Sequence, residues 1–196
     1  MVSYSKEKKR LLSQIRREVF PRYSQLVHAG TLTLSGDDDS VVRIVFAKGN
    51  LAHLCGFEVF TTQDKTSRDR QSRFYDFMQS DGPLPLRRID FAHHHDRRAT
   101  SLETGLRNSD KKIRVAPVAF DALLSGLAEQ EAYIVQSAKS SVAIFVGDTG
   151  WALGLKLQDG MSNDYVPVSL LDESVLSSLV HRSGSAVVRV TGAEWC

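Results

Sequence analysis

One imidazole, a pair of lysines and one hydroxyl have the residue types that acid–base chemistry on a phosphodiester requires. His53 closes the stretch Gly49-Asn50-Leu51-Ala52-His53 that follows the β-branched run Val41–Phe46. That run reads as a strand, and Gly49-Asn50 as the turn that ends it. His53 is therefore expected at the edge of a sheet, held rigidly and within reach of a substrate. Lys111 or Lys112 precedes an apolar helical stretch, and Ser169 ends Tyr165-Val166-Pro167-Val168-Ser169. Cleaving RNA without a metal takes a base for the 2′-OH proton, an acid for the departing 5′-oxygen and a cation or donor for the phosphate charge. Imidazole serves as base or acid because it titrates near neutrality. His53, Lys111 or Lys112, and Ser169 fit these roles if their elements converge. Each also has a plainer account. His53 suits a buried histidine bonded to a backbone carbonyl, and Ser169 suits a helix N-cap, a role compatible with holding an anion.

Other candidates carry less. Arg114 lies one turn from the lysine pair and is placed with Lys111 and Tyr165 as a substrate contact, Tyr165 by stacking on a base. Trp151 falls within an apolar strand and is expected in the core. The run His93-His94-His95 suggests a metal site, but adjacent residues do not point at one ion and no second ligand pair stands at the right spacing. No metal or cofactor is expected. The chain has no Gly-Lys-Ser phosphate loop, no Gly-x-Ser-x-Gly elbow, no Cys-x-x-Cys and no His-Glu-x-x-His. These absences argue against most nucleotide hydrolases, esterases and zinc proteases.

Composition is that of an ordinary globular protein, 42% hydrophobic and 24% charged, with a net charge of only +2. The distribution says more than the sum. Basic residues crowd the first segment (Lys6 to Arg22) and the middle (Arg87 to Arg114), whereas acids collect at Asp37-Asp38-Asp39 and in the last third. Segregation of this kind can build a basic face for a polyanion such as RNA. The two cysteines, Cys55 and Cys196, make neither a disulfide framework nor a metal motif. No apolar run approaches a membrane span, and Arg16, Arg17 and Glu18 interrupt any signal-peptide core, so a cytoplasmic location is expected.

The elements that must position these residues read as follows. Ser5 caps a helix with Leu11, Leu12, Ile15 and Val19 on one face, ended or kinked at Pro21. Thr31–Leu34 and Val41–Phe46 form a hairpin around Gly36 and the three aspartates. Ser67 opens a helix bearing Phe74, Phe77 and Met78, stopped at Gly82-Pro83. Leu84–Phe91 is a strand or an extended loop. Ile113–Leu127 is a helix with Pro117 in its first turn and a stripe of Val118, Leu123, Leu124 and Leu127. Strands follow at Ala132–Ala138, Val142–Val146 and Trp151–Leu157, then an extended Tyr165–Val168, a short helix opened by Asp172 and Glu173, and a last strand Ala186–Thr191. Helices first and strands later imply an α+β fold with N-terminal helices packed on an antiparallel β-sheet. Residues 1–30 read as a helical extension and 31–196 as one α+β domain.

Taken in order, several segments resemble a known family. Asn50-Leu51-Ala52-His53-Leu54-Cys55-Gly56-Phe57, Phe74-Tyr75, a lysine before an apolar helix, Ala152-Leu153-Gly154-Leu155 and Tyr165–Leu170 are similar to the phage-associated Barnase-EndoU-Colicin E5/D-RelE-like (BECR) nucleases, in particular the fourth such family. The resemblance spans roughly residues 40 to 190; the first 30 residues and Phe91–Ser109 lie outside it. It implies a small metal-independent endoribonuclease with helices against a four-stranded antiparallel sheet, a toxin or effector of a phage, plasmid or other mobile element. By that carry-over His53 is general base or acid, Lys112 the phosphate stabiliser and Ser169 a phosphate donor. RNA is the expected partner, with an acidic antitoxin or immunity protein covering the basic face. The competing expectations are a nuclease fold that binds RNA or protein without cleaving, and an effector with no nucleic-acid role.

Overall fold

The computed structural model describes residues 4–60, 67–92, 102–127, 131–136, 144–158, 163–176 and 186–196. The His93–His95 run, the turn at Lys139-Ser140 and most of the helix expected after Glu173 lie outside them.

The chain opens with a helical rod in three sections: α1 (Tyr4–Gln14), a π-helical turn (Ile15–Val19) and α2 (Phe20–Ala29). Pro21 explains the turn. Proline has no N–H to give to the helix ladder, and the ladder adjusts just ahead of it, where the Phe20 N–H bonds the carbonyl of Ile15. The Arg22 guanidinium donates to the Glu18 carbonyl at 2.7 Å, filling another gap. The rod bends its register but does not stop, so one apolar stripe runs its length. Leu11, Leu12, Ile15, Val19, Tyr23 and Leu26 are all fully buried in the main core. The rod is thus packed into the same core as the strands that follow.

Seven strands close into a ring. β1 (Thr31–Gly36) pairs with β2 (Val41–Val45), and the order continues through β8 (Asp164–Leu171), β7 (Ala152–Leu157), β6 (Ile144–Gly147), β5 (Tyr133–Gln136) and β9 (Ala186–Trp195) back to β1. The expected antiparallel sheet is corrected here: the ring is mixed. Every neighbouring pair is antiparallel except β2–β8, where Arg43 stands beside Asp164 and Ile44 beside Tyr165. Parity demands this. Strands around a closed ring can alternate in direction only if their number is even, so seven strands need a parallel joint. Closure removes the open edges that an isolated sheet would expose. The Gly36–Ser40 hairpin forms as the glycine and aspartates suggest, with Asp38 Oδ1 accepting the Ser40 N–H at 3.0 Å. A separate two-stranded sheet pairs β3 (Phe57–Val59) with β4 (Ile89–Phe91).

Between β2 and β3 lies the short helix α3 (Asn50–Leu54), so His53 sits on a helix and not at a sheet edge. The helix α4 (Ser67–Gln79) packs on α3. The helix α5 (Leu102–Leu124) is longer than expected and places Pro117 in its interior. The polar stretch Leu102–Asp110 has no apolar run to announce a helix, yet Gly105 and Ser109 are buried. With the start moved, the buried stripe is Ile113, Ala116, Phe120 and Leu123, and Val118 points outward, 53% exposed. Arg10 and Arg22 of the N-terminal rod pair with Asp110 and Asp121 of α5 at 2.8 Å each. These exposed pairs tie rod to helix but are worth little individually. They also neutralise part of the expected basic face. Among the described residues no helix is long and apolar enough to cross a membrane.

Burial pushes the Cys55 thiol up to about 12 and the Tyr23 phenol well above its ordinary value. Both groups keep their protons in the folded chain at a pH where the unfolded chain loses them, so stability is intact below pH 9 and falls as alkali rises through 9 toward 12. While only the unfolded thiol ionises, each unit costs about 1.4 kcal/mol through Cys55 alone. Urea unfolding measured from pH 8 to 11 should show this decline, and Cys55→Ala should show a shallower one.

Candidate functional site

A cleft of about 500 Å³ opens between the barrel wall and α3–α4. Its origin is the parallel joint. Pairing between β2 and β8 takes in Arg43–Ile44 and Asp164–Tyr165; the chain then leaves β2 through Phe46 and Ala47, and α3 packs on β8 instead. The gap left between strand and helix is lined by Ala47, Lys48, Gly49, Asn50 and His53 from the β2–α3 segment, and by Gln71 and Ser72 from α4. Lys156, Leu157 and Gln158 from the end of β7 and Val166 from β8 complete it.

The segment bearing Lys48 and His53 is held at both ends. At its start, the Ala47 N–H donates to Asn50 Oδ1 at 2.9 Å, the Asn50 N–H returns to the Ala47 carbonyl at 3.0 Å, and the buried Tyr23 hydroxyl donates to that same carbonyl at 2.7 Å. The Lys48 ammonium lies 5.2 Å from the centre of the Tyr75 ring, and the Tyr75 hydroxyl meets Ser24 Oγ at 2.9 Å. At its end, α5 supplies two anchors one helical turn apart. Lys112 Nζ donates to the His53 carbonyl at 3.1 Å, and Ser109 Oγ donates to the Gly56 carbonyl at 2.9 Å. A cation at the C-terminus of a helix is also favourable for its dipole. Gly56, with φ +76°, makes the exit turn; a Cβ there would stand 2.6 Å from Ser109 Oγ and 3.3 Å from the Ser109 backbone.

The structure therefore brings His53 and Lys112 together, but through the histidine's carbonyl. Lys112 is partly buried beneath α3, and desolvation lowers its pKa, offset in part by Cys55. Ser169 lies inside β8 opposite Gly154 and so starts no helix. Neither Lys112 nor Ser169 lines the cleft with His53. Lys111 is exposed on α5. Arg114 is paired with Asp172 at 3.1 Å. Tyr165 stands between Ile44 and Leu157 in the ring and packs against the core. Trp151 is fully buried, as its strand context suggests.

Lys48, Lys156, Asn50, Gln71, Ser72 and Gln158 are the cleft residues that reading the sequence missed. Lys48 had a local signal, a cation directly ahead of the Gly49-Asn50 turn. Lys156 had only a weak one, a charge ending an otherwise apolar strand. Among the described residues none that lines the cleft is acidic, and no group of three or more His, Cys, Asp or Glu could hold a metal ion. Electrostatically the cleft suits an anion. Its size suits a nucleotide or a comparable small ligand. Comparison of the chain with protein-family models, curated proteins and solved structures finds no match.

Two substitutions test the anchoring. Lys112→Met should leave the His53 carbonyl without its charged donor and lower stability by about 1–3 kcal/mol. Amide exchange should accelerate over Leu51–Gly56 more than in the barrel strands. Gly56→Ala should cost about 1–3 kcal/mol from its left-handed backbone and the approach to Ser109, measured by urea denaturation.

Proposed function

We propose that this chain binds RNA in the cleft and cleaves it by 2′-OH attack, with His53 as the acid–base group and Lys48 and Lys156 holding the phosphate. One observation carries this reading: among the described residues, a histidine and two lysines line one nucleotide-sized cleft with no carboxylate in its lining. An anionic ligand would meet two ammonium groups there. Lysine binds phosphate as a point charge, and a partly enclosed site strengthens the attraction over that in open solvent.

The reaction balances as follows. His53 accepts the 2′-OH proton as the 2′-oxygen forms its bond to phosphorus. The P–O5′ bond breaks, and the 5′-oxygen takes a proton from solvent or from an ammonium of the lysine pair. The products are a 2′,3′-cyclic phosphate and a 5′-hydroxyl. The lysines favour the transition state because negative charge builds on the phosphoryl oxygens as attack proceeds. The roles first placed on Lys112 and Ser169 pass in this reading to the two cleft lysines, and Lys112 becomes the residue that positions the helix bearing His53.

The BECR kinship belongs to the same proposal. Helices packed against strands support it in outline; a closed ring of seven strands departs from the four-stranded sheet it implies. With it come the setting in a mobile element and an acidic antitoxin or immunity protein able to cover the two lysines. A second reading, binding without cleavage, is favoured by one fact: among the described residues His53 is the one histidine lining the cleft, whereas general acid–base cleavage commonly uses two proton-transfer groups.

Incubating the chain with labelled single-stranded RNA separates the two. Cleavage leaving cyclic phosphate ends, reduced about 100-fold or more by His53→Ala with binding retained, supports the enzyme. Binding without cleavage in either form supports the second reading, and no binding removes both. Lys48→Ala and Lys156→Ala should each weaken RNA binding and flatten its dependence on salt concentration by about one unit of log–log slope.

A further inference from the structure

Gln71 carries an unanswered acceptor. Its Oε1 is buried and has no hydrogen-bond partner among the described residues, although Gln71 lines the cleft. A buried carbonyl left unsatisfied forfeits its hydration without compensation, and native folds rarely keep such groups without a use for them. The last torsion of glutamine is broad and two-fold, so a modest turn of the terminal amide presents Oε1 to a ligand. The group it needs is a donor. A phosphate diester has none, and Lys48 and Lys156, both exposed, are the cleft-lining cations that part of the ligand would meet. In a nucleotide the base and its N–H groups lie beyond the ribose from the phosphate. Exposed cations and a buried carboxamide oxygen in one cleft suit these two ends of the ligand. A carboxamide offers an acceptor and a donor side by side, which complements the amino group and adjacent ring nitrogen of adenine.

From this we infer that Gln71 makes the cleft a subsite for an adenine nucleotide, its carboxamide reading the exocyclic amino group while Lys48 and Lys156 hold the phosphate. The inference rests on the RNA reading of the cleft and names the base that it takes.

Calorimetric titration of the full chain with AMP, N6,N6-dimethyl-AMP, UMP and ribose 5-phosphate tests it. AMP should bind about tenfold more tightly than the dimethylated nucleotide, which keeps ring and phosphate but lacks the amino N–H, and more tightly than UMP or ribose 5-phosphate. Gln71→Leu should bring the ratio of AMP to dimethyl-AMP close to one while Lys48 and Lys156 still hold the phosphate. The wild-type ratio suffices if that variant fails to fold. Equal affinities for AMP and dimethyl-AMP in the wild type, no nucleotide binding, or an unchanged ratio in Gln71→Leu would each overturn the subsite. The nuclease reading fails separately. RNA cleavage dependent on His53 with no adenine preference sinks the subsite alone, and an adenine preference without RNA binding sinks the RNA reading while keeping the subsite.

Discussion

An odd number of strands cannot close on itself with every neighbour reversed, and the architecture of this protein follows from that constraint. The single parallel joint falls between β2 and β8. A parallel neighbour cannot be reached by a tight hairpin, so most of the chain, including α3, α4 and α5, is interposed between the two strands. The helices that follow β2 then pack beside the joint, and the cleft lies where strand pairing gives way to helix packing. Its polar walls come from both sides of that seam, Lys156 and Gln158 from the barrel and Lys48, His53 and Gln71 from the helical side.

Two kinds of cation serve different ends. Lys48 and Lys156 are exposed at the cleft. Lys112 is partly withdrawn from water, which disfavours its charge, yet it donates to the carbonyl at the end of α3. Its bond, the Ser109 hydroxyl and the left-handed Gly56 together define the exit of the His53 helix. A helix of five residues is too short to persist alone. The anchors from α5 and the Tyr23–Ala47–Asn50 latch keep it in place, so the geometry of the cleft depends on residues that do not line it.

The N-terminal rod illustrates how a local irregularity can preserve a global pattern. Pro21 read from the sequence as a stop or kink. The π-helical turn ahead of it absorbs the missing N–H and carries the apolar stripe past the proline to Tyr23 and Leu26. Tyr23 is then available to hold Ala47 through its hydroxyl, linking the rod to the mouth of the cleft.

Local signals made much of the framework legible. The strand periodicities of Thr31–Leu34, Val41–Phe46 and Trp151–Leu157, the Gly36–Asp39 hairpin and the paired face of Phe74 and Met78 depend on neighbours in sequence, and each formed close to where it was read. His53, which lines the cleft, was visible as a candidate for the same reason, an imidazole beside a turn. Ring closure, the parallel joint and the partners of His53 were not visible, because they depend on contacts across tens to more than a hundred residues. Lys112 shows the difference most sharply. Its nearness to His53 was anticipated, but only folding decided that its ammonium meets the backbone carbonyl, while Lys48 and Lys156 meet the cleft. The order of residues determined which segments would be helix or strand and which side chains had useful chemistry. Which of those side chains share a space was decided by how a seven-membered ring must close.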